Sequence, residues 1–374
     1  MRILAFVVSS LVLIGCSSAP EKPDPTRLER ISPEVVLVKQ GSVSLGGDDV
    51  TGLTPVITGS GLVAASSRGE VSLLTLPELD EVWSTDLDQD ITAGVGANDA
   101  NVFVITANGR LIALSLATGE VQFERLLPSA VTTPPSVDDD RVYVKTQVGR
   151  LMALSATTGE TLWVEETQET TIGIRGGAPM TLSNNTLWVL WESGRLAGYQ
   201  ADNGRILFER QVAVSKGRSP LERIVDSKGA PSIQNSVLAT ATRNGQLSVL
   251  DISSGQPLWS IDADAYPGAL VGFNAVTVVE TDGTVSAYSL QTGESLWSTQ
   301  ALRYRELSAP SIFANSIAVV DLDGVVHLID PADGGLVGRL DVGSAKGLVA
   351  PVVSSDGMAV QLVDGRVTWV SVTP

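Results

Sequence analysis

The sequence predicts an all-β protein, an eight-bladed β-propeller with four-stranded antiparallel blades, because a glycine-marked unit recurs eight times and no helical period follows the first 15 residues. Apolar positions run continuously or alternate, and turn residues interrupt them every 8 to 12 positions, a pattern typical of short strands. Four strands fit in each unit, and a ring of such sheets buries both faces of its inner strands. The marking glycines, 38 to 51 residues apart, are Gly69, Gly109, Gly149, Gly194, Gly245, Gly283, Gly324 and Gly365.

Two further positions repeat in each unit, a second glycine ten residues after the first and an aromatic residue fourteen residues after it. The first glycine stands in Asn-Gly or Asp-Gly pairs in several units, and these pairs predict tight hairpins in which both central residues have positive φ. The second glycine is replaced in the first unit by Leu79, and the aromatic residue in the seventh by Gly338. The aromatic residues are Trp83, Phe123, Trp163, Phe208, Trp259 and Trp297.

The eighth unit ends at Pro374, too early for a fourth strand. Residues 35–45 form a mostly apolar run near the other end of the chain and are predicted to supply that strand. This pairing closes the ring between its two ends and leaves no long open edge. The propeller is therefore expected to span residues 35–374.

Residues 1–15 have the pattern of a signal peptide. Arg2 precedes an apolar run that is too short to span a membrane as a helix. Residues 13–16 resemble a bacterial lipobox, which implies cleavage before Cys16 and acylation of its sulfur. Ser17, where Asp would favour the inner membrane, favours sorting to the outer membrane. The alternative is an ordinary secretory signal followed by an incidental cysteine.

Residues 16–34, which contain four prolines and many charges, are predicted to form a lipidated, semi-extended tether. Such a tether would let the folded part work away from the membrane.

Composition and motifs argue against catalysis and against a nucleic-acid partner. The formal net charge of −17 would be repelled by phosphate backbones and anionic lipids. Cys16 is the only cysteine, which excludes disulfide and zinc-thiolate sites within the chain. The single histidine, His327, lies between Val326 and Leu328 and is predicted to pack within a strand. Asp86, Asp88 and Asp90 lack the glycine and glutamate of a calcium loop. We therefore predict no catalytic residues, no metal and no enzyme activity.

Two consecutive connections between blades are longer than the 10 or 11 residues that follow Trp83, Phe123 and Trp259. Sixteen residues separate Trp163 from Pro179, and 23 separate Phe208 from Pro231. Both join an outer strand to the next inner strand, so they are predicted to emerge on one face of the ring and to bind a partner. The first contains Ile172, Ile174 and Arg175, and the second contains Arg210, Lys216, Arg218, Arg223 and Lys228.

Apolar side chains beside an arginine are typical of an interface. The alternative is that the isoleucines fold onto the edge of a blade. A local basic patch on an acidic body would attract an acidic partner.

The repeat unit resembles the quinoprotein-type propeller repeat, with Ala153, Thr158, Gly159 and Trp163 at its docking positions. The resemblance implies that the aromatic residues pack between blades. Some proteins of this type are quinone-dependent dehydrogenases, which makes such an enzyme the alternative function. Those enzymes also resemble one another in a vicinal cysteine pair, and this chain has one cysteine.

Nearly all of the mature chain resembles the BamB family of the outer-membrane β-barrel assembly machinery. The family's hydrophobic, variable, hydrophobic, Arg-Gly loop motif is matched by Ile172, Ile174, Arg175 and Gly176. A second family loop carries two acidic residues spaced by one; Asp226 matches the first, and Lys228 departs from the second.

The resemblance implies a noncatalytic scaffold without a cofactor, anchored by lipid in the outer membrane and facing the periplasm. It would bind the POTRA domains of BamA and assist the folding and insertion of outer-membrane proteins, with nascent barrels as further partners. A periplasmic propeller that binds ligands in its central channel is the remaining alternative.

Overall fold

The computed structural model describes residues 23–48, 52–167, 177–214, 225, 227–347 and 349–373. Within these ranges, 32 strands form eight four-stranded antiparallel sheets, and no helix is present. The predicted eight-bladed propeller is therefore confirmed. No helix of the described residues could cross a membrane. The predicted site residues outside the described ranges are Cys16, Ile172, Ile174, Arg175, Gly176 and Asp226.

Strands of the blades occupy four successive positions from the central channel outwards. The innermost strands are β2 (Val56–Thr58), β6 (Ile91–Ala97), β10 (Ser136–Val137), β14 (Thr181–Ser183), β18 (Ser232–Gln234), β22 (Gly268–Gly272), β26 (Ser311–Phe313) and β30 (Val352–Val353). The second strands are β3 (Gly61–Ala65), β7 (Asn101–Thr106), β11 (Arg141–Lys145), β15 (Thr186–Leu190), β19 (Val237–Ala241), β23 (Ala275–Val279), β27 (Ser316–Val320) and β31 (Met358–Gln361).

The third strands are β4 (Glu70–Leu74), β8 (Arg110–Ser115), β12 (Arg150–Ser155), β16 (Arg195–Gln200), β20 (Gly245–Asp251), β24 (Val285–Ser289), β28 (Val325–Ile329) and β32 (Arg366–Val372). The outermost strands are β5 (Glu81–Asp86), β9 (Val121–Leu126), β13 (Thr161–Glu166), β17 (Ile206–Gln211), β21 (Gln256–Ala263), β25 (Ser295–Thr299), β29 (Leu336–Asp341) and β1 (Leu37–Ser44). Blades one to seven run in chain order from β2 to β29, and blade eight combines β30, β31 and β32 with β1.

Burial follows the position of a strand in its blade. All five residues of β3 are buried, whereas β9 is exposed at five of its six positions. The second and third strands face neighbouring blades on both sides, so apolar residues occupy successive positions instead of alternating. The core is thus divided into layers between blades, with aliphatic side chains from two blades in each layer.

The turns between second and third strands differ from the predicted type. The Gly109 N–H donates to the Thr106 carbonyl at 2.9 Å, and Gly109 has a φ of 73° whereas Asn108 is not left-handed. The turn therefore spans four residues and ends on a left-handed glycine, instead of holding two central residues at positive φ. Blade five alters the pattern, because Asn244 takes the left-handed conformation and Gly245 does not.

The repeated aromatic residues connect neighbouring blades, as predicted. The Trp83 indole N–H of blade one donates to the Leu116 carbonyl of blade two at 2.9 Å. A Cβ on Gly119, in the same turn as Leu116, would lie 2.6 Å from the indole, so the ring packs directly on the glycine backbone. The other described pairs are Phe123 with Gly159, Trp163 with Gly204, Phe208 with Gly255, Trp259 with Gly293 and Trp297 with Gly334.

Strand β1 closes the ring, as predicted. It pairs antiparallel with β32, from Leu37 opposite Val372 to Ser44 opposite Arg366. The two junctions of blade eight contain none of the aromatic residues described above. At one, a Cβ on Gly41 would lie 2.2 Å from the Glu78 carbonyl oxygen of blade one. At the other, a Cβ on Gly338 of blade seven would lie 2.9 Å from the Val35 carbonyl oxygen. At these two positions a close backbone contact replaces the contact between an aromatic ring and a turn glycine.

The described part of the segment predicted as a tether is bound to the propeller from Thr26 onwards. Residues 26–36, here called the strap, lie along blade seven and lead into β1. The Thr26 N–H donates to the Arg303 carbonyl at 2.9 Å, and the N–H groups of Glu34 and Val35 donate to the Val337 carbonyl at 2.8 and 3.0 Å. Leu28 packs against the core between blades six and seven. Proline and charge exclude regular structure from this segment, but its backbone still forms hydrogen bonds with the blade.

Candidate functional site

One face of the ring carries both the turns between second and third strands and the connections from each outermost strand to the next blade. We call it the insertion face. In blade two the Leu127 N–H, at the start of a connection, donates to the carbonyl of turn residue Gly109 at 2.8 Å. In blades three and four, where the long connections start, the N–H groups of Thr167 and Val212 donate in the same way to the carbonyls of Gly149 and Gly194, each at 2.9 Å. The described ends of both long connections therefore lie on this face.

The first long connection is held at both ends by cations that the sequence analysis did not identify. The Lys145 ammonium, which is almost fully buried, donates to the Ala178 carbonyl at 3.1 Å and pairs with Glu192 at 3.0 Å. Arg195 donates to the Thr167 hydroxyl at the other end. These contacts fix the described ends of the connection, at Thr167 and Ala178. A lysine and an arginine 50 positions apart carry no local signal for this role.

The second long connection is also fixed at its described ends. The Ser248 hydroxyl donates to the Val212 carbonyl at 2.8 Å. The Lys228 N–H donates to the Tyr266 carbonyl at 2.8 Å. Of the basic residues predicted for this connection, the structure describes Arg210, which lies in strand β17, and Lys228, which lies at the mouth of the central channel.

The central channel opens on the insertion face through a cavity of about 260 Å³. Its described lining comes from seven of the eight blades and consists mainly of small apolar groups, among them Val95, Pro134, Ala230 and Ala350. Lys228 is the one charged residue among the described residues that line it. Such a lining offers few groups that could orient a polar ligand.

A second cavity, about 300 Å³, lies beside the channel mouth over blades five to eight. We call it the cationic pocket. Its charged lining residues are Lys228, Arg243, Lys346 and Glu306, and Lys346 pairs with Glu306. Lys228 and Arg243 both stack on the Tyr266 ring, at 5.6 and 5.8 Å from its centroid. The sequence analysis identified Lys228 alone, because the other cations come from turns and connections of separate blades.

His327 lies in β28 with no exposed surface, as predicted for a packed histidine. Its Nε2 donates to the Asp321 carboxylate at 2.9 Å. Burial lowers the pKa of His327 more than the neighbouring Asp321 raises it. Burial also raises the pKa of Asp321, but hydrogen bonds from His327, the Val325 N–H and Arg305 outweigh it and leave that pKa below its ordinary value. A neutral histidine enclosed in this way has no access to a substrate.

The same network holds the strap. The Arg305 Nε donates to Asp321 at 2.7 Å, while another of its nitrogens donates to the Thr26 carbonyl at 3.1 Å. Arg339 donates to the Glu29 carbonyl at 2.6 Å. The cluster is thus a structural anchor for the N-terminal segment. Among the described residues no group of side chains is arranged to hold a metal ion.

Comparison with known proteins identifies the family. The family model described as outer membrane protein assembly factor BamB matches residues 67–299 and 281–373. The outer membrane protein assembly factor BamB of Pseudomonas aeruginosa is 36% identical over 361 residues, which cover 95% of each chain. The chain belongs to the BamB family. The crystal structure of BamB from Moraxella catarrhalis is 29% identical, with a TM-score of 0.82 over 90% of this chain and 99% of that one.

BamB membership decides between the alternatives left by the sequence. The quinohemoprotein alcohol dehydrogenase from Comamonas testosteroni matches with a TM-score of 0.68 over 90% of this chain and 76% of that one, but at 15% identity. This likeness shows the shared propeller fold and nothing about activity. The BamB relatives are named as assembly factors, so the prediction that this chain is not an enzyme is confirmed.

Proposed function

We propose that this BamB family member is a lipid-anchored periplasmic scaffold that docks through its insertion face on the POTRA domains of a BamA-type insertase. Cys16 would carry the lipid. Ile172, Ile174, Arg175 and Gly176 would form the main contact, with nascent outer-membrane proteins as further partners.

The observation that carries this proposal is that both long connections start and end on one face, beside each other. Lys145 and Arg195 fix the ends of the first, and Ser248 and Tyr266 fix those of the second. Fixed ends reduce the entropy that a loop loses when it binds. The apolar channel mouth, which is lined in part by the inner ends of both connections, supports a protein partner over a polar small ligand.

Purification from detergent-solubilised outer membranes tests the proposal. We expect the full chain to copurify with the insertase, and Arg175→Glu to abolish the complex, because charge reversal at the centre of an interface leaves a repulsive contact. The matched control is Arg125→Glu on the exposed edge of β9, which makes the same charge change and should keep the complex.

An intact complex with Arg175→Glu would refute the docking surface. A bound chromophore that absorbs in the near ultraviolet would instead favour the quinone-dependent alternative. The mass of the mature N-terminal peptide tests the anchor, because acylated Cys16 is heavier than the free thiol by the mass of its lipid.

A further inference from the structure

Lys145 places a buried charge at a position where most blades have an apolar side chain. It stands four residues before the marking glycine of blade three, at the end of β11. An apolar residue therefore satisfies the fold at this position, whereas an ammonium costs free energy to remove from water. The equivalent residues of six other blades, all buried, are Ala65, Ile105, Leu190, Ala241, Val279 and Val320.

The Lys145 ammonium contacts blade four and the connection that enters it. It donates to the carbonyls of Ala178 and Leu190 at 3.1 and 3.4 Å. It pairs with the Glu192 carboxylate at 3.0 Å and lies 5.8 Å from the centroid of the Trp191 ring. One side chain of blade three thus joins the end of the first long connection to the blade that follows it.

Gly177 lies directly against this ion pair. A Cβ on Gly177 would lie 2.5 Å from a Glu192 carboxylate oxygen and 3.3 Å from the Lys145 ammonium. The backbone at Gly177 has a φ of 36°, a left-handed conformation that favours glycine. Gly177 follows Arg175 by two residues. The ion pair therefore holds the chain two peptide units from the residue proposed to contact the partner.

Trp191 brings the contacts at the two ends of the connection together. It is a buried residue three positions before the marking glycine, where blades one, two, three and five have serine or threonine. The Lys145 ammonium and the Arg195 guanidinium lie 5.8 and 5.4 Å from its ring centroid. Arg195 holds Thr167 at one end of the connection, and Lys145 holds Ala178 at the other. Both described ends are thus fixed by cations that stack on one ring.

Blade eight shows that a polar bridge between blades does not require a charge. Gln361 stands at the position equivalent to Lys145, and its amide donates to the Ala65 carbonyl of blade one at 2.8 Å. Ala65 is in turn equivalent to Leu190, whose carbonyl accepts a hydrogen bond from Lys145. A neutral amide is therefore sufficient for this bridge. What Lys145 adds is the ion pair with Glu192, against which Gly177 lies.

We infer that the ion pair of Lys145 and Glu192 is a positioning element for partner binding, which holds Gly177 and Ala178 so that the first long connection is ordered before it meets its partner. This inference rests on the proposed function, because it needs that connection to be a contact surface. Order that exists before binding does not have to be supplied during binding. The pair therefore raises affinity without touching the partner.

Binding of the mature chain to the purified periplasmic domains of its insertase tests the inference. Lys145→Met together with Glu192→Gln approximately keeps the shapes of both side chains and leaves neither charge without its partner. We expect the dissociation constant of this double variant to rise roughly tenfold. The midpoint of urea unfolding should stay the same or rise, because an ion pair is replaced by side chains that cost less to bury. Hydrogen exchange of the unbound double variant should be faster at residues 177–180.

Gln361→Leu is the matched control, because it removes the equivalent bridge at the junction of blades eight and one. It should bind like the original chain. Equal binding by the double variant and Gln361→Leu would overturn the inference and leave the proposed function intact. A lower urea midpoint of the double variant, with faster exchange throughout blades three and four, would mean that the pair holds the blades together, and the inference would be wrong. No binding by the original chain would refute the proposed function and the inference with it.

Discussion

The junctions between consecutive blades from one to seven and the two junctions at blade eight hold the ring together by different means. In the first group an aromatic side chain of one blade covers a turn glycine of the next, as Trp83 covers Gly119. At blade eight, backbone meets backbone, with Gly41 against the Glu78 carbonyl and Gly338 against that of Val35. We therefore expect a regular junction to be weakened when atoms of its aromatic side chain are removed. We expect a closing junction to be weakened when a side-chain atom is added to its glycine.

At the junction of blades seven and eight, the difference follows from the assembly of blade eight from two separate parts of the chain. A regular blade places a turn between its third and fourth strands, and that turn supplies the glycine on which an aromatic ring packs. Blade eight has no such turn, because β32 ends near the C-terminus and β1 comes from the N-terminus. The strap compensates with hydrogen bonds from Arg305 and Arg339 to its carbonyl groups.

The largest expected effect comes from removing the aromatic side chain of a regular junction. Trp83→Ala should lower the free energy of unfolding by about 3–5 kcal/mol, because a large buried ring is lost and a cavity remains. Urea unfolding followed by circular dichroism measures this change. Trp83→Phe is the control, since Phe123 and Phe208 occupy the same position in other blades. If Trp83→Ala were no less stable than Trp83→Phe, the aromatic residue would not stabilise the junction.

Removing the arginine that connects the strap to blade seven should have a slightly smaller effect. Arg305→Ala is expected to cost about 3 kcal/mol, because it leaves the fully buried Asp321 without its cation. Hydrogen exchange should also rise at residues 26–35. Arg303→Ala is the control: its pair with Asp282 is partly exposed, and ion pairs in contact with solvent contribute at most about 1 kcal/mol. Equal effects of the two substitutions would mean that Arg305 does not fix the strap.

A single added carbon should weaken the closing junction. Gly41→Ala would place its Cβ 2.2 Å from the Glu78 carbonyl oxygen, and the required backbone shift should cost about 1–3 kcal/mol. Faster hydrogen exchange in β1 would show where the ring opens. Gly59→Ala serves as the control, because its Cβ would meet no atom within 4 Å. A closing junction that tolerated Gly41→Ala as well as that control would contradict the close backbone contact.

The smallest effect is a dependence of stability on pH near the strap. Because burial lowers the pKa of His327 in the folded state, the unfolded chain binds a proton first as the pH falls below about 6.5. Stability contributed by neutral His327 is therefore lost on acidification, by at most about 1.4 kcal/mol per pH unit. The lowered pKa of Asp321 acts in the same direction at more acidic pH.

Urea unfolding at several pH values measures this dependence. His327→Gln should flatten the curve between pH 7 and about 5, because glutamine does not titrate. An unchanged slope would mean that His327 does not contribute to it.

How far the sequence predicted the structure depends on whether a feature repeats. The blades, the aromatic contacts and the closing strand were predictable because glycines and aromatic residues recur at fixed offsets. The strap occurs once, and its contacts are to the carbonyl groups of Thr26 and Glu29, which any residue possesses. The turn type was wrong because Asn-Gly occurs in two-residue hairpins and also in the four-residue turns found at Gly109.

The sequence predicted the candidate site only at the two long connections between blades. These connections span residues 163–179 and 208–231, and the second contains Lys228. Arg243 and Lys346 stand in ordinary turns and connections, more than 100 residues apart, and the curvature of the ring brings them to one cavity. The role of Lys145 was not predicted, because nothing in the sequence of its strand shows that its ammonium is buried and holds the end of a connection.

The position of Thr26 restricts how the protein can stand on a membrane. Thr26 is hydrogen-bonded to Arg303 and Arg305, in the connection that enters blade seven on the insertion face. Ten residues separate it from Cys16, a stretch that reaches at most about 35 Å. With acyl chains on Cys16, the edge of the propeller at blade seven would stay within a few nanometres of the lipid headgroups.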